Sequence, residues 1–194
     1  HYGKGHIETA DIINNLGSVA THVGDYAKAQ KYYKQALVIF ENYYSKGHIK
    51  TANTINNLGN VANALDDYTT AQEYYKQALE LFEGHYGKGH IATANTINNL
   101  GNVANALVDY TTAQEYYKQA LALFEGHYGK GHIETANTIN NLGSVAIHVG
   151  DYSTAQEYLQ QALAMYEGHY GKGHIETATT IHNLGEVAIH VSDY

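Results

Sequence analysis

Cysteine, proline and tryptophan are absent from this chain of 194 residues. Without cysteine there is no disulfide framework and no thiolate metal site, which is compatible with a reducing compartment; a cytoplasmic location is expected. No apolar run approaches the roughly 20 residues a membrane-spanning helix needs, and no secretory-signal pattern opens the chain. The sequence begins in mid-phrase at His1-Tyr2-Gly3-Lys4, as expected of a fragment. Positive charge is also scarce, with 11 Lys plus Arg against 19 Asp plus Glu and a net charge of −8. A general nucleic-acid binder displaces counterions with a basic face, so that class is disfavoured. What is abundant is tyrosine, inside a hydrophobic share of 44% that is ample for a core.

Repetition comes next. The phrase His-Tyr-Gly-Lys-Gly-His-Ile starts at His1, His85, His127 and His169, with a variant starting at Tyr43, so successive starts are 42 residues apart. Four full units (1–42, 43–84, 85–126, 127–168) are followed by a partial fifth (169–194), expected to form one array. Each unit reads as two helices. In the third, the first runs from about Ile91 to Leu107, with Ala94, Ile97, Leu100, Gly101, Val103, Ala104 and Leu107 apolar. These cover roughly 180° of the wheel, so the helix must meet neighbours on two sides. The second runs from about Tyr110 to Gly126, burying Tyr110, Ala113, Tyr116, Tyr117, Ala120, Leu121, Leu123 and Phe124. Gly24-Asp25 and Gly150-Asp151 punctuate the turn between the helices, with Asp suited to cap the second; Asp67, Asp109 and Asp193 hold that place without glycine. Gly17, Gly59, Gly101, Gly143 and Gly185 recur at the edge of the apolar face, where a closely approaching partner helix would exclude a side chain.

One stretch stands out in the first helices. Asn95, Asn98, Asn102 and Asn105 fall on one stripe at about 100° per residue, as do Asn53, Asn56, Asn60 and Asn63 one unit earlier. Each asparagine costs roughly half a kcal/mol of helix propensity relative to alanine. The row dilutes towards both ends: Asp11, Asn14, Ser18 and Thr21 in the first unit, Asn137, Asn140, Ser144 and Ile147 in the fourth, and Thr179, His182, Glu186 and Ile189 in the fifth. An exposed row facing a groove is expected.

Ile97, Leu100-Gly101, Ala104, Asp109-Tyr110, Ala113, Tyr117 and Ala120 resemble the tetratricopeptide repeat signature in order and spacing. The usual unit is about 34 residues, and this one is about eight longer. With its Asn-Asn-Leu-Gly phrase and Gly-Lys-Gly-His linker, the unit is similar to the extended repeats of kinesin light chains and of some NLR-type signalling proteins. Where those families usually have proline after the linker histidine, this chain has Ile7, Ile49, Ile91, Ile133 and Ile175. The resemblance implies an all-α, right-handed superhelical solenoid of antiparallel helix pairs, whose first helices line a concave groove that commonly holds a peptide.

Asparagine offers two donors and an acceptor, so a ladder of Asn14, Asn53, Asn56, Asn60, Asn63, Asn95, Asn98, Asn102, Asn105, Asn137 and Asn140 can pair with an extended peptide backbone. The alternative is a set of solvated polar residues copied by duplication. The linker histidines, such as His85 and His90, lack a third ligand at constant spacing and are expected to cap helices or pack on tyrosine rather than bind metal. Gly87-Lys88-Gly89 lacks the rest of a phosphate loop, and no nucleophile stands beside a base, so neither a cofactor nor catalysis is expected. The partner is therefore expected to be a protein or peptide, without nucleic acid or membrane. A second reading is a spacer or scaffold that associates end to end through uncapped terminal repeats.

Overall fold

The computed structural model describes residues 4–44 and 47–192; Ser45, Lys46 and Asp193 of the repeated phrases lie outside them. Among the described residues there are nine α-helices and no strand: α1 (Lys4–His22), α2 (Tyr26–Tyr44), α3 (Ile49–Ala64), α4 (Tyr68–Tyr86), α5 (Ile91–Ala106), α6 (Tyr110–Tyr128), α7 (Ile133–His148), α8 (Tyr152–Tyr170) and α9 (Ile175–Ser192). The odd-numbered helices are the first helices of the repeat and the even-numbered ones the second. The second helices run two residues past the expected end, through Gly126 to Tyr128 in the third unit.

The helix boundaries follow from local chemistry. Asp67, Asp109 and Asp151 cap α4, α6 and α8 by accepting from the backbone N–H groups of Thr70, Thr112 and Thr154 at 3.1 to 3.2 Å. Bonds from the Thr154 side chain and then its backbone hold the Asp151 carboxyl below the usual carboxylate range. The second helices end at Gly87, Gly129 and Gly171, whose φ of 86°, 84° and 83° is open to glycine at little cost. The turn between the helices of one hairpin needs the same left-handed residue. Gly24 and Gly150 supply it, whereas Asp66 and Val108 are held there at φ 57° and 63°.

The chain forms two compact units, His1–Val103 and Ala104–Tyr194. In the first, α3 is buried on two sides. Leu58 and Val61 pack on Ala20, Ala29 and Tyr33 of the preceding hairpin, and Ala52 and Ile55 pack on Ala78 and Phe82 of its own partner α4. In the second, Ala136 and Ile139 of α7 meet Ala162 and Tyr166 of α8 in the same manner, while Leu142 and Val145 join Ala113 and Tyr117 of α6. Two buried faces on one helix are what its wide apolar arc requires, and each fully buried large side chain contributes roughly 1.5–3 kcal/mol. The recurring glycine admits this packing. A Cβ on Gly17, Gly59 or Gly143 would lie 2.7 to 2.8 Å from Tyr33, Tyr75 or Leu159 respectively.

Candidate interaction surface on the first helices

The asparagine row runs along the first helices, but it is less open than its polarity implies. In the compact unit His1–Val103, Asn53 and Asn95 are exposed, and Asn14, Asn56, Asn60, Asn63, Asn98 and Asn102 are half-buried. In the compact unit Ala104–Tyr194, Asn105, Asn137 and Asn140 are half-buried, and the buried Oδ1 of Asn105 has no hydrogen-bond partner among the described residues. The expectation of an exposed row therefore holds at Asn53 and Asn95 and is corrected elsewhere.

The reason is hydrogen bonding to the next hairpin and, at Asn60 and Asn137, to the second helix of the same hairpin. The Thr54 hydroxyl lies 3.0 Å from Asn14 Oδ1 and 2.8 Å from the Lys50 carbonyl, with one hydrogen to share between them. Thr96 stands in the same relation to Asn56 and Ala92, and Thr180 to Asn140 and Glu176. Asn60 Oδ1 accepts from the Tyr75 hydroxyl at 2.8 Å and from Asn99 Nδ2 at 3.3 Å. Asn137 Oδ1 accepts from the Tyr166 hydroxyl at 2.9 Å. Burial raises the Tyr75 and Tyr166 phenols above their ordinary pKa, keeping them protonated as donors. Even the aspartate that opens the row is engaged: Lys50 Nζ sits 2.6 Å from both carboxylate oxygens of Asp11. Much of the row thus ties one repeat to the next. What it leaves exposed is Asn53 and Asn95, beside half-buried amides such as Asn56 and Asn60 whose Oδ1 atoms are engaged.

The second histidine of each linker does both things expected, while His85, His127 and His169 only meet the adjacent tyrosine edge-on. His48, His90, His132 and His174 stack on Tyr44, Tyr86, Tyr128 and Tyr170 with ring centroids 3.8 to 3.9 Å apart. In each, Nδ1 accepts from the backbone N–H two residues on, at the start of the following helix. Among the described residues no group of three or more His, Asp or Glu side chains is placed to hold a metal ion, and no helix is long and apolar enough to cross a membrane.

This geometry of hairpins, an internal glycine under an aromatic ring and an Asp-Tyr turn coincides with a family match over residues 8–84, 50–126, 92–168 and 134–194. The chain belongs to the tetratricopeptide repeat family. Its fold is an all-α repeat solenoid, and tetratricopeptide repeats generally serve as protein-interaction scaffolds of a typically non-catalytic kind. The crystal structure of BtubC (BKLC) from P. vanneervenii is similar at 25% identity and a TM-score of 0.83, covering 97% of this chain and 75% of that one. Two structures of the nearly identical TPR-like repeats of a Podosopora anserina kinesin light chain are similar at 16% identity and a TM-score of 0.79. They cover 97% and 96% of this chain and 89% of theirs. No curated protein matches the sequence.

The polar residues that sequence reasoning passed over in these tetratricopeptide hairpins are threonines. Thr51, Thr54, Thr93, Thr96, Thr135, Thr138, Thr177 and Thr180 are all buried. Thr93, Thr135 and Thr177 donate to the carbonyl oxygens of Gly87, Gly129 and Gly171 at 3.1 to 3.2 Å, tying each linker to the helix after it. The available signal was the phrase Thr-Ala-x-Thr-Ile, which recurs from the second unit onward; the first unit has Ile12 at the second threonine.

Proposed function

We propose that this array is a cytoplasmic protein-interaction scaffold that holds an extended peptide across its first helices, along the asparagine row. The observation that carries the reading is the pairing of exposed amides at Asn53 and Asn95 with half-buried neighbours locked by internal hydrogen bonds. Amides oriented before a ligand arrives lose little freedom on binding, so their bonds to a peptide backbone contribute more to affinity. Asparagine bonds a backbone through either of its polar atoms, so selectivity for side chains comes from positions where the row departs from asparagine, such as Asp11 and Ser18.

The test starts from extended peptides selected against the protein by display. Replacing Asn53 and Asn95 together by alanine is expected to weaken selected peptides about tenfold or more without lowering the melting temperature, since alanine is the better helix former. Asn60→Ala behaves differently: it strands the Tyr75 hydroxyl and lowers stability by about 1–3 kcal/mol. Selected peptides whose affinity ignores the Asn53→Ala, Asn95→Ala pair would remove the row from the binding surface. A chain that yields no peptide at all favours the second reading, a structural spacer, whose supporting observation is the engagement of the asparagine row in bonds between successive repeats.

A further inference from the structure

Each turn from a first helix to a second begins with an aliphatic residue that the fold leaves uncovered: Val23, Leu65, Leu107 and Val149 are all exposed. Leu107 and Val149 belong to complete hairpins with further helices on both sides in the chain. In the compact unit Ala104–Tyr194 these two turns adjoin. Tyr110 closes one, His148 opens the other, and their rings stack with centroids 5.0 Å apart. Leu107 and Val108 on the first turn and Val149 on the second are 46%, 65% and 54% exposed.

Val108 is the tip of the patch. It is held at φ 63°, a region that L side chains rarely adopt and β-branched ones least of all. Gly24 and Gly150 hold the same place at φ 76° and 79°, and Asp66 holds it in the second repeat at φ 57°. A valine there strains the turn and also presents an apolar side chain to water. Neither cost is offset by burial, and strain of this kind gathers where a surface acts on something else.

The rim is acidic. Asp109 and Asp151 are exposed carboxylates that cap α6 and α8 through one oxygen each. Glu115 and Glu157 lie exposed in the second turns of those helices. Opposing charge is distant: α8 has no lysine or arginine, and Lys118 of α6 stands about 12 Å along its helix from the turn. Lys130 and Lys172 sit in the linkers, at the other end of the hairpins. Residues 104–194 together carry three lysines against ten aspartates and glutamates.

We infer that the Leu107, Val108 and Val149 patch is a docking site for a basic segment of a partner protein, one in which aliphatic side chains alternate with lysine or arginine. The aliphatic groups cover the patch, and the cations meet Asp109, Asp151, Glu115 and Glu157. The site stands at the turn end of the helices and does not depend on a peptide lying along the asparagine row.

The probe is a synthetic peptide of alternating Lys-Lys and Leu-Leu pairs, titrated into the whole protein by calorimetry at low and high salt. Val108→Asp is the deciding variant. It gives the tip the residue that Asp66 supplies in the second repeat, so the turn folds, and an unchanged circular dichroism spectrum verifies it. It also adds negative charge, so plain attraction of a basic peptide to an acidic chain would strengthen. A loss of about tenfold or more in affinity is expected instead, because the apolar tip is gone. Val149→Ser, which alters no strained residue, is expected to weaken binding in the same direction, and added salt weakens it in every variant. Four outcomes overturn the inference: no binding by the parent protein, affinity that Val108→Asp leaves unchanged or raises, equal binding of a peptide with serine in place of leucine, or a concentration-dependent dimer that Val108→Asp abolishes and the peptide does not displace. The last assigns the patch to a second copy.

Discussion

At the scale of single residues, two positions carry conformational cost that a neighbouring repeat avoids. Val108 sits at φ 63° where Gly150 serves the equivalent turn at φ 79°. A left-handed conformation costs an L-residue about 1–2 kcal/mol, more for a β-branched one, and glycine's extra unfolded freedom returns part of the difference. Val108→Gly is therefore expected to stabilise the protein by about 0.5–1 kcal/mol, read as a higher urea midpoint at constant slope. An unchanged or lower midpoint would show that the turn carries no strain. The helix glycines make a second, paired prediction. Gly59→Ala drives a Cβ to within 2.7 Å of the Tyr75 ring and is expected to destabilise by about 1–3 kcal/mol, the range of core overpacking. Gly185→Ala meets open space and gains helix propensity, so a small stabilisation of up to about 1 kcal/mol is expected. Equal effects at the two sites would refute the close-approach explanation.

At the scale of the element, the starts of the first helices depend on imidazole. His48 caps α3 through Nδ1, which accepts a bond only while it carries no hydrogen. Burial, followed by the charges of Lys50 and His85, holds the His48 pKa below its ordinary 6.5. The unfolded chain then binds this proton more readily than the folded one. Its contribution to stability is complete above about pH 6.5 and is lost as the pH falls from there through the lowered folded value. His48→Asn keeps a cap acceptor without the titration. Its melting temperature is expected to decline less between pH 7 and pH 5 than that of the parent chain, and parallel curves would discount the cap.

The elements also show where sequence reading succeeds and stops. Hairpin spacing, the capping aspartates and the glycines beneath aromatic rings were legible because each depends on residues near one another in the chain. The buried threonines were not, since polarity alone places them outside and their i−4 carbonyl bonds offset the expected cost. The closure of the asparagine row was not legible either. Asn14 and Thr54, or Asn60 and Asn99, are 39 or 40 residues apart, and a helical wheel drawn for one repeat contains no term for the next.

At the scale of the whole molecule, each compact unit is built from contacts between a helix and those adjacent to it in the chain. Such local topology favours rapid folding and makes stability a sum of repeat and interface terms. The same arithmetic explains why the site was only half visible. A residue duplicated with its repeat is preserved whether it binds a ligand or its neighbour, and Asn60, bonded to Tyr75 and Asn99, serves the neighbour. Asn53 and Asn95, on the exposed surface, are where the two roles separate.

The ion pair between Asp11 and Lys50 has a meaning beyond its small energy. Both side chains are over a third exposed, so the pair contributes at most about 1 kcal/mol. Its partners are unlike their equivalents one repeat later, Asn53 and Ala92. In a chain whose second and third units are nearly the same, interfaces are interchangeable, and a growing fold is able to join the wrong copies as readily as the right ones. Asp11 and Lys50 act as an address on the first junction, a mark of order within an otherwise repetitive text.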